Sequence, residues 1–457
     1  MLFYGDSKVR TQLAPAYNAF DNHDEIVNMR DKILYCFYDL AVAPPTYDFI
    51  PFLQLSELHR RRYQLDDICF VFVPGPKEGF RDDNLNPSSA SERRAWMRNI
   101  IIPACYLLES CKQIMWLKSR DEAIFLLKRS KENIFPRLYS LDSPVGDYSH
   151  RGIIAAYARN EKIAEIKEPP EYTRMVESYL ADRVTPQKLI TVTVRDVDDS
   201  PARNTSYSEW RAFLRKLDPQ KYKVIIIPDT SKVWQPNEML KNFEHCELAS
   251  INVLFRTALY RQAYFNMAIN TGPMDLALFS KSPFLAFKPI TEDAISTTSE
   301  YWLQWVGLEV GDQYPFAQRD QIIVWDDDVI ECLEEGFYRF VLELEQDESL
   351  TKKEHGFRSY RQQYICYQTA LNYVKEKLHS PNWSPYADPQ IVNNPVQEDI
   401  DTLEAIINVF PIDVRFILGL IFQKVGKSEL AIEFFNYCIK HTKNNDIKKT
   451  CQMVLTL

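Results

Sequence analysis

Glycine is scarce: the 457 residues hold only 12. Neither G-x-G-x-x-G nor G-x-x-x-x-G-K-[ST] occurs, which excludes the usual dinucleotide fingerprint and the Walker A loop. Any phosphate site must therefore be built another way. No apolar stretch approaches the roughly 20 residues of a membrane span, and the opening Met-Leu-Phe-Tyr-Gly-Asp-Ser-Lys lacks a signal peptide's charged start and apolar core. A soluble, cytoplasmic protein is the expectation. The nine cysteines include no C-x-x-C pair, so neither a zinc ribbon nor a thioredoxin-like site is indicated, and they read as reduced packing residues. There is no G-x-S-x-G elbow, and none of the seven histidines has an evident sequence partner, which argues against a serine or cysteine hydrolase. A net charge of −9 argues against general nucleic-acid binding. The basic run His59 to Arg62 reads as a solvated helix end.

What is present is an ordinary globular balance, 46% hydrophobic and 26% charged, over a length that suggests two or three domains. Strand and helix alternate from Ile33 onward, the pattern of parallel, helix-covered sheets and hence an α/β fold. Strands are expected near Ile33, Asp67 to Val73 and Gln113 to Leu117, with helices at Phe49 to Arg62 and Arg120 to Lys128. A polar, Pro-containing stretch from Asp142 through Pro169-Pro170 suggests a boundary. Residues 1–160 and 161–350 are read as two α/β domains, 351–400 as a long helix and linker, and 401–457 as a helical tail. In the tail, Leu418, Gly419, Phe422, Gly426, Ala431, Phe435 and Cys438 fall at the spacing of one tetratricopeptide-like helical pair. A lone repeat cannot bury its own face, so the tail is expected to pack on the body, on a second copy or on a partner.

Two strands organise the second domain. Leu-Ile-Thr-Val-Thr-Val stops on Arg195, and Val-Ile-Ile-Ile-Pro stops on Asp229, so each delivers a charged residue at its carboxyl end, where open α/β sheets bind ligands. A guanidinium at Arg195 can grip phosphate oxygens with paired hydrogen bonds, and Arg203 and Lys288 lie at comparable strand or loop ends. Asn270, Thr271 and Gly272 precede Pro273, a favoured first helical residue, so a helix start with free N–H groups is expected there. Asp326, Asp327 and Asp328, and also Asp196 and Asp198, carry the D-x-D spacing of a metal and sugar-nucleotide site, but a helix start and a solvated loop account for them more simply. Asp48, just beyond the first strand, is a candidate general base toward an acceptor hydroxyl, with helix capping as its alternative role; Asp39 is a second carboxylate at that strand's end.

Thr191-Val192-Thr193-Val194-Arg195, with Arg203 and Trp210 after it, resembles the start of the donor domain of fucosyltransferase-like enzymes. Asn270-Thr271-Gly272, continuing to Ala277, Ser280 and Pro283, is similar to the diphosphate-binding turn of bacterial GT-B glycosyltransferases. Gly311, Gln313, Tyr314, Pro315 and Phe316, before Gln321 and Trp325, match the region beside the donor's base and ribose. The resemblance implies two Rossmann-like domains facing across a cleft. It also implies a metal-independent transfer, with no cofactor, of a sugar from a nucleoside-diphosphate sugar to a glycan, lipid-linked or protein acceptor. Arg195, Lys288 and the turn at Gly272 would steady the departing diphosphate; Arg203, Asn270, Thr271, Tyr314 and Gln321 would complete the donor site, and Asp48 would take the acceptor's proton. A non-catalytic interaction scaffold and a sugar-nucleotide epimerase are the alternatives, because fold does not fix function.

Overall fold

A computed structural model describes residues 32–82, 88–130, 133–137, 139–146, 148–184, 186–198, 200–235, 237–294, 297–345, 352–378 and 397–456, with 352–361 described as backbone only. The expectations placed on residues 1–31, on Asp199 and on the loop after Leu378 lie outside these. The chain divides into two compact units, each built on its own parallel sheet.

The first unit takes in the described residues up to Ala43, with His59–Arg81 and Ser110–Gly146. Its strands are β1 (Ile33–Asp39), β2 (Asp67–Val73), β3 (Cys111–Trp116) and β4 (Ile134–Phe135), in the order β3-β2-β1-β4 and all parallel. β1 and β2 are apolar on both faces, as central parallel strands must be. Helix α1 (Phe49–Arg62) follows β1, its residues up to Leu58 belonging to the second unit; α2 (Ala90–Trp96), which runs on through a wider turn over Met97–Ile101, belongs to the second unit too; α3 (Arg120–Ser130) follows β3. Asp39 ends β1 fully buried, where Arg120 donates to both of its oxygens at 2.8 and 2.9 Å and the Tyr139 hydroxyl donates at 2.7 Å. Burial, and then the Asp39 charge, push the Tyr139 phenol upward. Asp39 is thus a brace, occupied on both oxygens.

The second unit comprises Pro44–Leu58, Asp82–Glu109 and everything from residue 147 onward. In chain order it holds α4 (His150–Ala158), α5 (Pro170–Leu180), β5 (Lys188–Thr193), α6 (Tyr207–Leu214), β6 (Tyr222–Ile227), β7 (Glu244–His245), α7 (Glu247–Ile251), α8 (Val253–Gln262), β8 (Phe265–Ile269), α9 (Met274–Phe279), β9 (Phe284–Phe287), β10 (Gln321–Ile323), α10 (Ile330–Glu345) and α11 (Lys352–Lys377). The helical end is α12 (Gln397–Ile406), α13 (Pro411–Lys424), α14 (Ser428–His441) and α15 (Asn445–Thr456). The sheet order is β10-β9-β8-β5-β6-β7, all parallel. Its core packs Ile190, Val192, Trp210 and Phe265 against Leu333, Phe337 and Phe340, which recur along one stripe of α10. In the tail, Phe435 of α14 lies over Gly419 of α13, the close helical pairing that the small residue suggests.

Two expectations need correction. The stretch read as a boundary contains α4, whose Gly-Ile-Ile-Ala-Ala is buried; a nine-residue helix with polar flanks gives too short a period to stand out. Leu254 to Ala268, whose apolar pattern reads as one helix, is helical only to Gln262, because Phe265 to Ile269 pair with both β5 and β9 as a strand.

Candidate functional site

Renumbered from its own start, the six-stranded sheet runs 3-2-1-4-5-6, the doubly wound order whose direction of winding reverses between its first and fourth strands, here β5 and β8. Ligands of such sheets bind outside the carboxyl ends at that switch point. β5 leads to Arg195 and β8 to Asn270, Thr271 and Gly272, so the expected site residues flank it. Next to them, β9 leads to Lys288 and β6 to Asp229.

The β5 side is a network of loop contacts. The half-buried Arg195 donates from its backbone N–H to the Thr205 hydroxyl at 2.9 Å, and its guanidinium donates to Asn204 Oδ1 at 3.2 Å. Arg203 closes the short turn Pro201–Arg203 immediately before that asparagine. Lys288 Nζ approaches Asp328 at 3.2 Å and Asp327 at 3.7 Å, so its charge is already matched and it could reach a phosphate only by exchanging partners. Asp328 is 1% exposed and also accepts from the Ser206 N–H and hydroxyl, both at 2.8 Å, and from the Trp210 indole at 3.0 Å. Asp229 accepts from the backbone N–H groups of Asp196 and Ser231, which ties two loops together.

At the switch point itself stands a residue that sequence reasoning missed. α8 runs back toward the amino ends of the strands, so its first turns lie at the carboxyl edge. From the last turn of the helix Tyr260 meets Thr193, the last residue of β5, oxygen to oxygen at 2.6 Å. One turn earlier, Arg256 is 1% exposed; it donates to the Ala249 carbonyl at 2.6 Å and to the Tyr47 hydroxyl at 3.0 Å. No carboxylate pairs with it among the described residues. A buried cation without a counter-charge is costly unless something else supplies one. Burial pushes the Tyr47 phenol up to about 12 even though Arg256 pulls the other way.

Tyr47 also fixes the turn. A Cβ at Gly272 would lie 2.7 Å from the Tyr47 Cβ, so only glycine lets the two segments meet. Asp48 is therefore brought beside the Asn270–Gly272 turn; it is exposed, and one of its oxygens accepts from the Thr46 hydroxyl. α9 begins at Met274 and has six residues, so the dipole expected behind this turn is small. Its first N–H groups are engaged locally, Met274 with the Thr271 carbonyl at 3.0 Å and Asp275 with the Gly272 carbonyl at 3.1 Å. Asn270 is anchored through its side-chain N–H to the Pro289 carbonyl at 3.1 Å.

Behind Gly272 lies a second unforeseen pair, His150 Nε2 and Asp275 Oδ1 at 2.9 Å, both largely buried. Burial works against the imidazolium, but Asp275, helped by Asp48, overcomes it and raises the His150 titration above its ordinary value. Tyr314 stacks obliquely over His150 with ring centres 5.3 Å apart, and burial followed by Asp275 drives its phenol well upward. Gln321 stands apart from this group. Its amide is buried and donates to the carbonyls of Ala277, Leu278 and Ser282, bracing α9 from beneath.

Among the described residues no group of three or more His, Cys, Asp or Glu could hold a metal ion, and no helix is long and apolar enough to cross a membrane. No protein-family model and no characterised protein matches the chain by sequence. Solved structures similar to it include a glycosyl transferase family 9 protein from Veillonella parvula, at 9% identity and a TM-score of 0.40, covering 68% of this chain and 97% of that one. Another is the ADP-heptose lipopolysaccharide heptosyltransferase II of E. coli, at 10% identity and a TM-score of 0.43, covering 69% and 100%. The wall teichoic acid polymerase TagF matches at 12% identity and a TM-score of 0.25, covering 80% and 93%. At such scores the function has to be argued from the residues.

Proposed function

We propose that the chain is a glycosyltransferase that takes a nucleoside-diphosphate sugar at the carboxyl edge of the β5–β10 sheet. The sugar passes to a hydroxyl of a glycan, lipid-linked or protein acceptor. One observation carries this reading: the buried Arg256 guanidinium, unmatched by any carboxylate among the described residues, beneath the switch point between β5 and β8. Its charge acts without contact, since at an effective dielectric near 20 a unit anion ~6 Å away gains roughly 3 kcal/mol. Arg195 and Arg203 on one side and the turn at Asn270, Thr271 and Gly272 on the other offer the diphosphate groups to touch. Tyr314 and Asp48 extend the site on the His150 side.

In the transfer, the acceptor oxygen forms a bond to the anomeric carbon as the bond from that carbon to the diphosphate oxygen breaks. The electron pair leaves with the diphosphate, and Asp48 takes the acceptor's proton. Arg256 is a fixed positive charge facing the growing negative charge, so the protein's own cation does what a divalent ion does elsewhere.

The test is a melting panel with uridine, guanosine, cytidine and adenosine diphosphates and their sugars. A ligand at ~100 times its dissociation constant stabilises the protein by roughly 2.7 kcal/mol, and at least one is expected to do so. No shift with any of them sinks the reading. With the responding nucleotide, Arg195→Ala and Arg256→Gln are each expected to weaken binding about tenfold or more, the first by loss of a charge-assisted contact and the second by loss of the buried charge.

A further inference from the structure

A cavity of about 170 Å³ opens in the second unit, between α11 and the loop that follows Gly307. Gly307 takes φ +86°, and a Cβ there would lie 2.2 Å from the Thr369 side chain, so the loop is pressed against α11. The Thr369 hydroxyl donates to the Gly307 carbonyl at 2.7 Å and holds it there. On one wall, Gln368 and Asn372 are four residues apart and so share a face of α11. Both are half-buried, and neither side chain meets a protein hydrogen-bond partner among the described residues. On the other wall stands Glu309, exposed; Asp312 beneath it is 2% exposed and accepts from the Glu309 N–H at 2.9 Å, so it shapes the loop. Tyr364 and Leu303, each 45% exposed, supply an apolar rim. Arg151 also lines the cavity, but its charge is engaged by Glu376.

We propose that this cavity binds one neutral sugar unit, a hexose or N-acetylhexosamine, outside the donor edge. Each free amide offers two donors and an acceptor, and the exposed Glu309 carboxylate offers acceptors only; a ring with adjacent hydroxyls, which both donate and accept, satisfies both walls at once. The Glu309 carboxylate, with the arginine already matched, repels phosphorylated or acidic ligands, so the occupant is uncharged. The volume admits one ring and not a chain, and the Tyr364 rim suits a sugar's apolar C–H face. The inference does not depend on the donor chemistry. If the transferase reading also holds, the site would hold a sugar of the acceptor, because Arg151 adjoins His150 in the first turn of α4.

Saturation-transfer NMR on the full chain tests it, with methyl α-glucoside, methyl β-galactoside and N-acetylglucosamine as probes. At least one is expected to give ring-proton signals. These signals should be lost or weakened about tenfold in Asn372→Leu and in Glu309→Ala, as removal of a polar contact predicts. The exposed Glu309 keeps the test open if the helix variant folds poorly. Absence of signal from all three probes overturns the proposal. So does a signal that survives both substitutions, or one displaced by a nucleoside diphosphate, which places the sugar at the donor edge instead. Nucleotide-induced melting shifts unchanged in Glu309→Ala separate failure here from failure of the transferase reading.

Discussion

His150 is a buried imidazole between two carboxylates, and the balance of its surroundings sets its charge. Burial opposes protonation while Asp275 and Asp48 favour it, and the carboxylates prevail. Because folding raises its titration, the contact contributes stability that is fully present below the unfolded value of about 6.5 and is lost as pH rises through the folded value. An NMR titration of the His150 ring is expected to give a midpoint above that value, and Asp275→Asn should move it down. A midpoint at or below the free imidazole value would show that burial prevails after all. Neither His150 nor Arg256 was legible in the sequence. Their partners lie 125 and 209 residues away, one histidine sits in a polar stretch and one arginine in a helix interior, and neither place carries a local signal. Asp48 and the Asn270–Gly272 turn stood out in the sequence because each follows a strand at a break in apolar pattern, and their roles belong to the proposal.

Among the elements, the β-branched runs at β5 and β6 announced parallel strands, and the structure pairs them residue for residue from Lys188 with Tyr222 to Thr193 with Ile227. The aspartate run before α10 announced a helix start or a metal site, yet Asp328 serves neither alone. It joins the loop after β9 to the start of α6 by accepting from Lys288, Ser206 and Trp210. Removing one partner from a buried charged network leaves the others uncompensated, which costs about 3–5 kcal/mol. Asp328→Ala is therefore expected to lower the denaturation midpoint by that amount, with the β5 and β9 loops losing order first. A change within ~0.5 kcal/mol, typical of surface positions, would assign Asp328 to the surface. The end of α8 was misread because a buried helix and a buried strand give the same continuous apolar run, and α4 because nine helical residues between polar flanks show too little period.

For the molecule as a whole, each compact unit carries its own sheet and its own buried charged brace, Asp39 in one and Asp328 in the other. Cooperative units lose protection as units. Asp39→Ala strips the Arg120 and Tyr139 contacts and is expected to cost about 3 kcal/mol. Hydrogen-exchange mass spectrometry should show faster exchange across β1–β4 and little change across β5–β10. Equal loss in both sheets would mean that the two units unfold as one. The alternation of strand and helix that distinguishes these sheets was readable from periodicity alone, whereas the distribution of residues 44–58 and 82–109 into the second unit was not, since no composition change marks those crossings.

Arg256 has one practical consequence at the bench. If its charge serves the proposed donor edge, small anions of the solvent compete for that edge, so sulfate or inorganic phosphate carried through purification would occupy it before any nucleotide arrives. The same preparation moved from phosphate to a zwitterionic buffer should melt lower, and only the second baseline would leave the nucleotide panel room to register.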